Sequence, residues 1–161
     1  MEKLMTIASS VCFGTGAFPD KLNGVAIATP DTLYIVVGVT PNYKPGLLLL
    51  FWGPLLGGIA TTGFKLSVQR KLESLPSGVV TAASEVPDDI RKSAEWPSKA
   101  KEDTTVLAIV KPAIKSIKFD IIGNLILTID DIRICLGVGI FRKKKVQEFL
   151  VNYDWLSSSD Q

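Results

Sequence analysis

The chain has 161 residues, a length that favours one domain with its own hydrophobic core. Its 18 basic and 16 acidic residues leave a net charge of +2, too small to indicate a nucleic-acid partner. The sequence contains no histidine, the most common general base and metal ligand, and its two cysteines alone cannot form a zinc site. We therefore expect no catalytic residues, no metal or other cofactor, and no small-molecule substrate.

The N-terminal sequence MEKLMTIASSVCF is a poor match to a secretory signal peptide. Glu2 cancels the charge of Lys3, and Thr6 interrupts the apolar run early. Cys12 and Cys135 are more typical of buried thiols than of a disulfide, which is the alternative. These features predict a chain that remains on the cytoplasmic side.

A β-hairpin is predicted at GVAIATPDTLYIVVGV. Residues 25–29 and 32–39 are rich in β-branched and aromatic side chains, and Pro30-Asp31 lies where a tight turn belongs. The second strand is apolar on both faces, so we expect it to lie in the interior of a sheet.

An uncharged segment of nineteen residues, 46–64, follows with the sequence GLLLLFWGPLLGGIATTGF. As a helix it would be about 28 Å long, close to the thickness of a bilayer core. Gly53-Pro54 and Gly57-Gly58 disfavour a continuous helix at its centre. Four alternatives therefore stay open: a re-entrant hairpin, a helix lying flat in the membrane interface, a helix buried in the protein or in an oligomer, and a spanning helix. The residues expected to contact a membrane or a partner are Leu48, Leu49, Leu50, Phe51, Trp52, Leu55 and Leu56.

The chain after this segment is more polar. Residues 65–75 have apolar positions at helical spacing and predict an amphipathic helix. Residues 76–103 form a polar connector, in which a short helix is expected from Pro87 to Glu95 and is stopped by Pro97.

Strands and a final helix are predicted in the C-terminal part. TVLAIV and IKSIKF read as strands, and NLILTIDDIRICLGV alternates as a hairpin that turns at Asp130-Asp131. Val146, Phe149, Leu150 and Tyr153 then follow the spacing of an amphipathic helix.

Three stretches share their order and pattern with a known superfold. NGVAIATPDTLYIV looks like its Gly-x-hydrophobic-x-x-Thr hairpin, and IKSIKFDIIGNLILTIDDIRICL looks like its Ile-x-x-Ile strand and the hairpin that follows. KKKVQEFLVNY resembles the C-terminal helix that closes one end of its barrel. Together, residues 22–39 and 106–153 resemble the pleckstrin-homology-like (PH-like) superfold, especially its bacterial and GRAM-like branch. The long insertion and the missing charged turn after the first hairpin depart from that pattern.

The resemblance implies an α+β fold: an antiparallel β-barrel or sandwich with a C-terminal capping helix. Residues 1–156 would form one domain that carries an insertion at 46–103, and residues 157–161 would be a tail. If the strands before and after the insertion share one sheet, a single membrane crossing by residues 46–64 is excluded.

A basic cluster begins the last helix. Arg142, Lys143, Lys144 and Lys145 oppose the helix dipole there, so helix stability does not explain their position. From residue 111 to residue 145, eight basic residues stand against three acidic ones. The residues predicted to bind an anion or a lipid head group are Arg142, Lys143, Lys144, Lys145, Lys111, Lys115 and Lys118, while a solvated basic surface is the alternative.

The sequence therefore favours a non-catalytic, PH-like module that associates with an anionic membrane surface through the apolar segment and the basic cluster. The alternative is a soluble interaction or scaffold protein that buries the apolar segment in a homo-oligomer.

Overall fold

This computed structural model describes residues 3–13, 20–39 and 70–157, apart from the side chains of residues 20–22. The described residues form strands and short helices, with 3-10 turns at Ala83–Glu85 and Lys111–Ala113. The strands are β1 (Met5–Ala8), β2 (Ser10–Phe13), β3 (Asp20–Leu22), β4 (Gly24–Ala28), β5 (Thr32–Val37), β6 (Val80–Ala82), β7 (Thr105–Val110), β8 (Ser116–Phe119), β9 (Leu125–Ile129) and β10 (Ile132–Gly137). The helices are α1 (Asp88–Arg91) and α2 (Lys143–Asn152).

The strands form two antiparallel sheets. The first has the order β1-β4-β5-β7-β6 and the second has the order β3-β2-β10-β9-β8. Strand β5 lies at the centre of the first sheet, as its two apolar faces predict. It pairs with β4 across the predicted hairpin and with β7 along Thr32↔Val110 to Val36↔Val106. The expected pairing between the chain before the insertion and the chain after it is therefore confirmed.

Two strongly bent stretches of chain connect the sheets. Only Ser9 separates β1 in the first sheet from β2 in the second, and only Asn23 separates β3 from β4. A Cβ atom at Gly24 would lie 3.1 Å from the Val36 carbonyl oxygen and 3.2 Å from the Val11 side chain, so this corner needs glycine. Such corners are typical of sheets packed across one another. Of the two expected forms, the described strands build the sandwich of open sheets and not a closed barrel.

The main core lies between the two sheets. Its fully buried side chains include Phe13 and Ile35 from opposite sheets, together with the alternating residues Leu125, Leu127 and Ile129 of β9. Helix α2 covers this core with Val146, Phe149 and Leu150, and Trp155 and Leu156 follow it inward. The predicted β9–β10 hairpin and the amphipathic C-terminal helix are both confirmed.

The connector 76–103 covers the outer face of the first sheet. Ala83, Val86 and Ile90 pack there on Ile27 and Val36 in a second apolar cluster. The connector also supplies β6, which pairs with β7 at the edge of the sheet.

The connector's helix is shorter than the sequence predicts. Helix α1 ends at Arg91 instead of reaching Glu95. The Ser93 hydroxyl donates to the Ile90 carbonyl at 2.7 Å, and the Ser93 N–H donates to the same oxygen at 3.1 Å. These bonds replace the helical pattern, because serine competes with the helix for its backbone carbonyls.

The apolar segment 46–64, with all seven residues expected to contact a membrane or a partner, lies outside the described residues. Of the predicted helix 65–75, residues 70–75 are described, and the helix there ends at residue 73, before Ser74 and Leu75. No helix in the described part of the chain is both long enough and apolar enough to span a bilayer.

Candidate anion-binding site

Three of the predicted lysines line one groove. Lys111 begins a 3-10 turn after β7, Lys115 directly precedes β8, and Lys118 lies within β8. Strand β8 forms an edge of the second sheet among the described strands, so its side chains border open space. The groove thus gathers positive charge from two consecutive elements of the chain.

The groove measures about 410 Å³. Ile114, Ile117 and Trp155 supply its apolar wall, and Ser116 contributes a hydroxyl group. This volume falls within the range of small-ligand pockets, but polar groups make up about half of the lining, whereas such pockets are mostly apolar.

Lys111 is fixed within the groove. Its ammonium group donates to the Tyr153 carbonyl at 2.5 Å and lies 5.2 Å from the ring centroid of Trp155. The Trp155 ring is itself held by its N–H group, which donates to the Thr29 carbonyl at 2.9 Å. One wall of the groove is therefore rigid, with a cation packed against an aromatic ring.

Lys115 and Lys118 are exposed to solvent. The ammonium group of Lys115 lies 3.9 Å from a carboxylate oxygen of Asp130, and both side chains are more than half exposed. An ion pair this long and this exposed contributes little to stability, so an incoming anion can compete for Lys115.

Arg142 makes a contact inside the protein that the sequence did not predict. Its guanidinium group is half-buried and donates to the Thr6 carbonyl on β1 at 2.5 Å. Arg142 therefore ties the start of α2 to the first sheet.

Lys143 connects α2 with the end of β8. Its ammonium group lies 5.5 Å from the ring centroid of Phe119, the last residue of β8. Since the opposite end of α2 leads to Trp155 beside Lys111, helix α2 runs alongside β8 in the reverse direction. Lys143 thus lies at the end of β8 and Lys111 near its start, beside opposite ends of α2.

Lys144 and Lys145 are exposed on α2. Lys144 contributes to a second groove of about 380 Å³ along that helix, together with Gln147, Glu148 and Val151. Of the seven predicted basic residues, four are thus exposed, and the three half-buried ones each make a contact inside the protein. The exposed ones are Lys115, Lys118, Lys144 and Lys145.

The perturbed pKa values have structural causes. Burial raises the pKa of Tyr34, whose ring packs beneath the connector, and nearby carboxylates add to this effect against a hydrogen bond from Thr32. Burial, with the neighbouring Cys12, also raises the pKa of the Cys135 thiol. Among the residues that the structure describes, no three histidine, cysteine or carboxylate side chains cluster to hold a metal.

Sequence reasoning identified the lysines of the groove and missed its apolar wall. Trp155 was not among the predicted site residues, although it follows α2 closely and is one of only three tryptophans. Ile114 and Ile117 flank Lys115 in IKSIKF, and this alternation of apolar and basic residues was the available signal.

No family model matches this sequence, and neither a curated protein nor a solved structure matches the chain. The arrangement of residues described above therefore carries the functional argument.

Proposed function

We propose that this chain is a non-catalytic, PH-like module that attaches to the anionic surface of a membrane from the cytoplasmic side. The observation that carries the proposal is the groove in which Lys111, Lys115 and Lys118 converge beside Trp155. Two exposed lysines, a third lysine held beside an aromatic ring, and a nearby hydroxyl group suit a phosphate-bearing lipid head group.

The order of the strands supports the PH-like assignment. If the bent pairs β1–β2 and β3–β4 are each counted as one long strand, seven strands precede the C-terminal helix when the connector's β6 is set aside. The first long strand contributes to both sheets, and α2 covers the core at the open side between them. Two antiparallel sheets covered by a C-terminal helix are compatible with the sandwich that the resemblance implies.

The position of the insertion supports attachment from one side. The described strands on either side of the apolar segment 46–64 are β5 and β6, and both of these strands pair with β7. Any membrane contact through residues 46–64 must leave both flanks on the same side, which fits a peripheral or re-entrant anchor. An apolar anchor and a basic groove would provide the two signals that stable attachment requires.

Cosedimentation with vesicles tests the proposal. The full chain should bind phosphatidylserine–phosphatidylcholine vesicles, bind pure phosphatidylcholine more weakly, and lose its anionic preference as salt is raised. Lys115→Glu with Lys118→Glu should weaken binding to anionic vesicles by on the order of tenfold, because each reversal removes attraction and adds repulsion.

A matched control reverses two exposed lysines of the connector, Lys99→Glu and Lys101→Glu, which changes the net charge equally on the other sheet. Equal losses for both double variants would contradict a site at the groove. If the chain binds no vesicles and sediments as a stable oligomer, the soluble homo-oligomeric alternative is favoured instead.

A further inference from the structure

Two loops present pairs of fully exposed large apolar side chains. In the turn between β8 and β9, Ile121 and Ile122 are 105% and 77% exposed. In the loop between β10 and α2, Ile140 and Phe141 are 80% and 102% exposed. We call these four residues the apolar tip. Single exposed apolar residues are ordinary, whereas four at one place indicate a contact surface.

The strand register brings the two loops together. Phe119 pairs with Leu125, and Leu125 pairs with Leu136, so these residues form one row across β8, β9 and β10. The β8–β9 turn begins directly after Phe119. The β10–α2 loop begins after Gly137, which is one residue beyond Leu136. Both loops therefore project from the same end of the second sheet.

A direct contact joins the loops. A Cβ atom at Gly123, in the β8–β9 turn, would lie 3.3 Å from the Cδ atom of Lys143. Gly123 has a φ of +95°, so the turn approaches the lysine with a backbone conformation that suits glycine. The stem of Lys143 thus packs beside the turn while its ammonium group lies over Phe119.

The turn is internally bonded, so its isoleucines are not exposed through fraying. The Asp120 carboxylate accepts hydrogen bonds from the N–H groups of Ile122 at 2.9 Å and Asn124 at 2.7 Å. It also accepts one from the Asn124 side chain at 3.1 Å. These bonds use the acidic group within the turn and leave the isoleucine side chains facing outward.

Exposed lysines lie close in sequence to the apolar tip. Lys144 and Lys145 follow Phe141 closely, and Lys118 precedes Phe119 on β8. Apolar side chains at a loop end, with lysines behind them, match the interface of an anionic bilayer, where acyl chains lie beneath negative head groups. A protein partner that bound the same surface would need a deep apolar pocket with an acidic rim.

We propose that the apolar tip inserts into the interface of an anionic membrane, with Lys118, Lys144 and Lys145 on the head groups. The inference rests on the proposed function and adds a contact that the apolar segment 46–64 does not supply. It also fixes an orientation: because Lys115 directly precedes β8 and the apolar tip follows it, the β8 edge of the second sheet then lies along the membrane.

The test replaces the whole tip by threonine: Ile121→Thr, Ile122→Thr, Ile140→Thr and Phe141→Thr. Since all four side chains are exposed, we expect native folding and a loss of binding to phosphatidylserine–phosphatidylcholine vesicles on the order of tenfold. Val80→Thr with Val110→Thr, at exposed apolar sites of the first sheet, is the matched control and should bind as the parent does.

Tryptophan fluorescence gives a second test of insertion that holds even if the quadruple variant folds poorly. In a Trp52→Phe background, Phe141→Trp should gain a blue shift and quenching by brominated lipid when anionic vesicles are added, whereas Val80→Trp in the same background should gain neither. Absence of quenching at position 141 would overturn the inference.

The outcomes separate the two proposals. If the Lys115→Glu, Lys118→Glu variant loses vesicle binding and the threonine variant keeps it, insertion of the apolar tip is refuted and head-group binding at the groove is supported. Failure of the parent chain to bind any vesicle refutes both. If the parent chain forms an oligomer and the threonine variant does not, the apolar tip is a contact between protein chains. That result would overturn its assignment to the membrane.

Discussion

The backbone N–H group of Thr6 donates a hydrogen bond of 2.7 Å to the carboxylate of Glu95, a residue 89 positions away in sequence. Arg142 donates to the carbonyl of the same Thr6 at 2.5 Å. Strand β1 is an edge strand, and side chains from the connector and from the start of α2 occupy both outward backbone groups of Thr6. Covering an edge in this way prevents it from pairing with another chain.

Glu95→Ala should therefore destabilise the protein by about 1–3 kcal/mol, because a partly buried N–H group loses its charged acceptor. Urea unfolding followed by circular dichroism measures the change. Glu95→Gln keeps an acceptor oxygen and should lose less than half as much. Equal losses of stability in Glu95→Ala and Glu95→Gln would mean that the charge of Glu95, and not its hydrogen bond to Thr6, stabilises the protein.

The C-terminal segment should depend on one buried hydrogen bond. The Trp155 ring N–H donates to the Thr29 carbonyl at 2.9 Å, and Trp155 is 5% exposed. Trp155→Phe keeps most of the apolar contact but leaves the carbonyl without this donor, so we expect a loss of about 1–2 kcal/mol. Trp155→Ala also opens a cavity and should lose about 3–5 kcal/mol. Thermal unfolding of the two variants side by side separates these contributions.

Cys12 and Cys135 lie directly opposite each other on the neighbouring strands β2 and β10, and the structure holds them as two thiols. Opposite residues of antiparallel strands have Cα atoms about 4.5–5.5 Å apart, a spacing that a disulfide can bridge. Diamide should therefore join them by taking two electrons and two protons from the thiols. Peptide mapping should find a bond within one chain.

That bond would close a loop of more than a hundred residues and raise stability by up to about 5 kcal/mol, less any strain in the sheet. Cys12→Ser should abolish the cross-link. A bond that forms only between chains would contradict the register of β2 against β10.

Asp120 should contribute to acid sensitivity. Partial burial pushes the pKa of its carboxyl upward, but hydrogen bonds from Asn124 and the turn outweigh burial and hold it below the usual 3.8. The folded protein thus binds this proton less tightly than the unfolded chain does. The stabilising effect of the Asp120 carboxylate is present above pH 3.8, and it is lost as the pH falls through the lower pKa of the folded state.

Asp120→Asn should therefore lose about 0.5–1 kcal/mol at neutral pH and show a smaller further loss between about pH 5 and pH 3 than the parent. Urea unfolding at a series of pH values measures both effects. Asp103→Asn, at an exposed position, is the control and should follow the parent curve. An unchanged acid dependence in Asp120→Asn would refute this role.

Local patterns predicted much of the fold. The β4–β5 hairpin is rich in β-branched residues and buried on both faces, whereas the β9–β10 hairpin and helix α2 show a period of burial. A turn or a helix start marks the ends of these elements. Strands β1, β2 and β3 were not predicted. The bend at Ser9 moves the chain from one sheet to the other, so the alternation of buried residues does not continue across it.

The candidate site was predicted only in part. Charge pattern located the basic residues, but it could not reveal that Lys111, Arg142 and Lys143 direct their polar ends to partners inside the protein. Long basic side chains can lie along apolar surface and end at a distant acceptor, and only the fold identifies that acceptor. The apolar tip was missed for a related reason, since Ile121 and Phe141 look like core residues until the turns expose them.

The bent stretch through Ser9 has a consequence for how the molecule melts. Because one continuous strand supplies β1 to the first sheet and β2 to the second, neither layer can detach without breaking hydrogen bonds in the other. Amide protons on β5 and on β9 should then exchange through the same global opening, with matching free energies, as expected for a single cooperative unit.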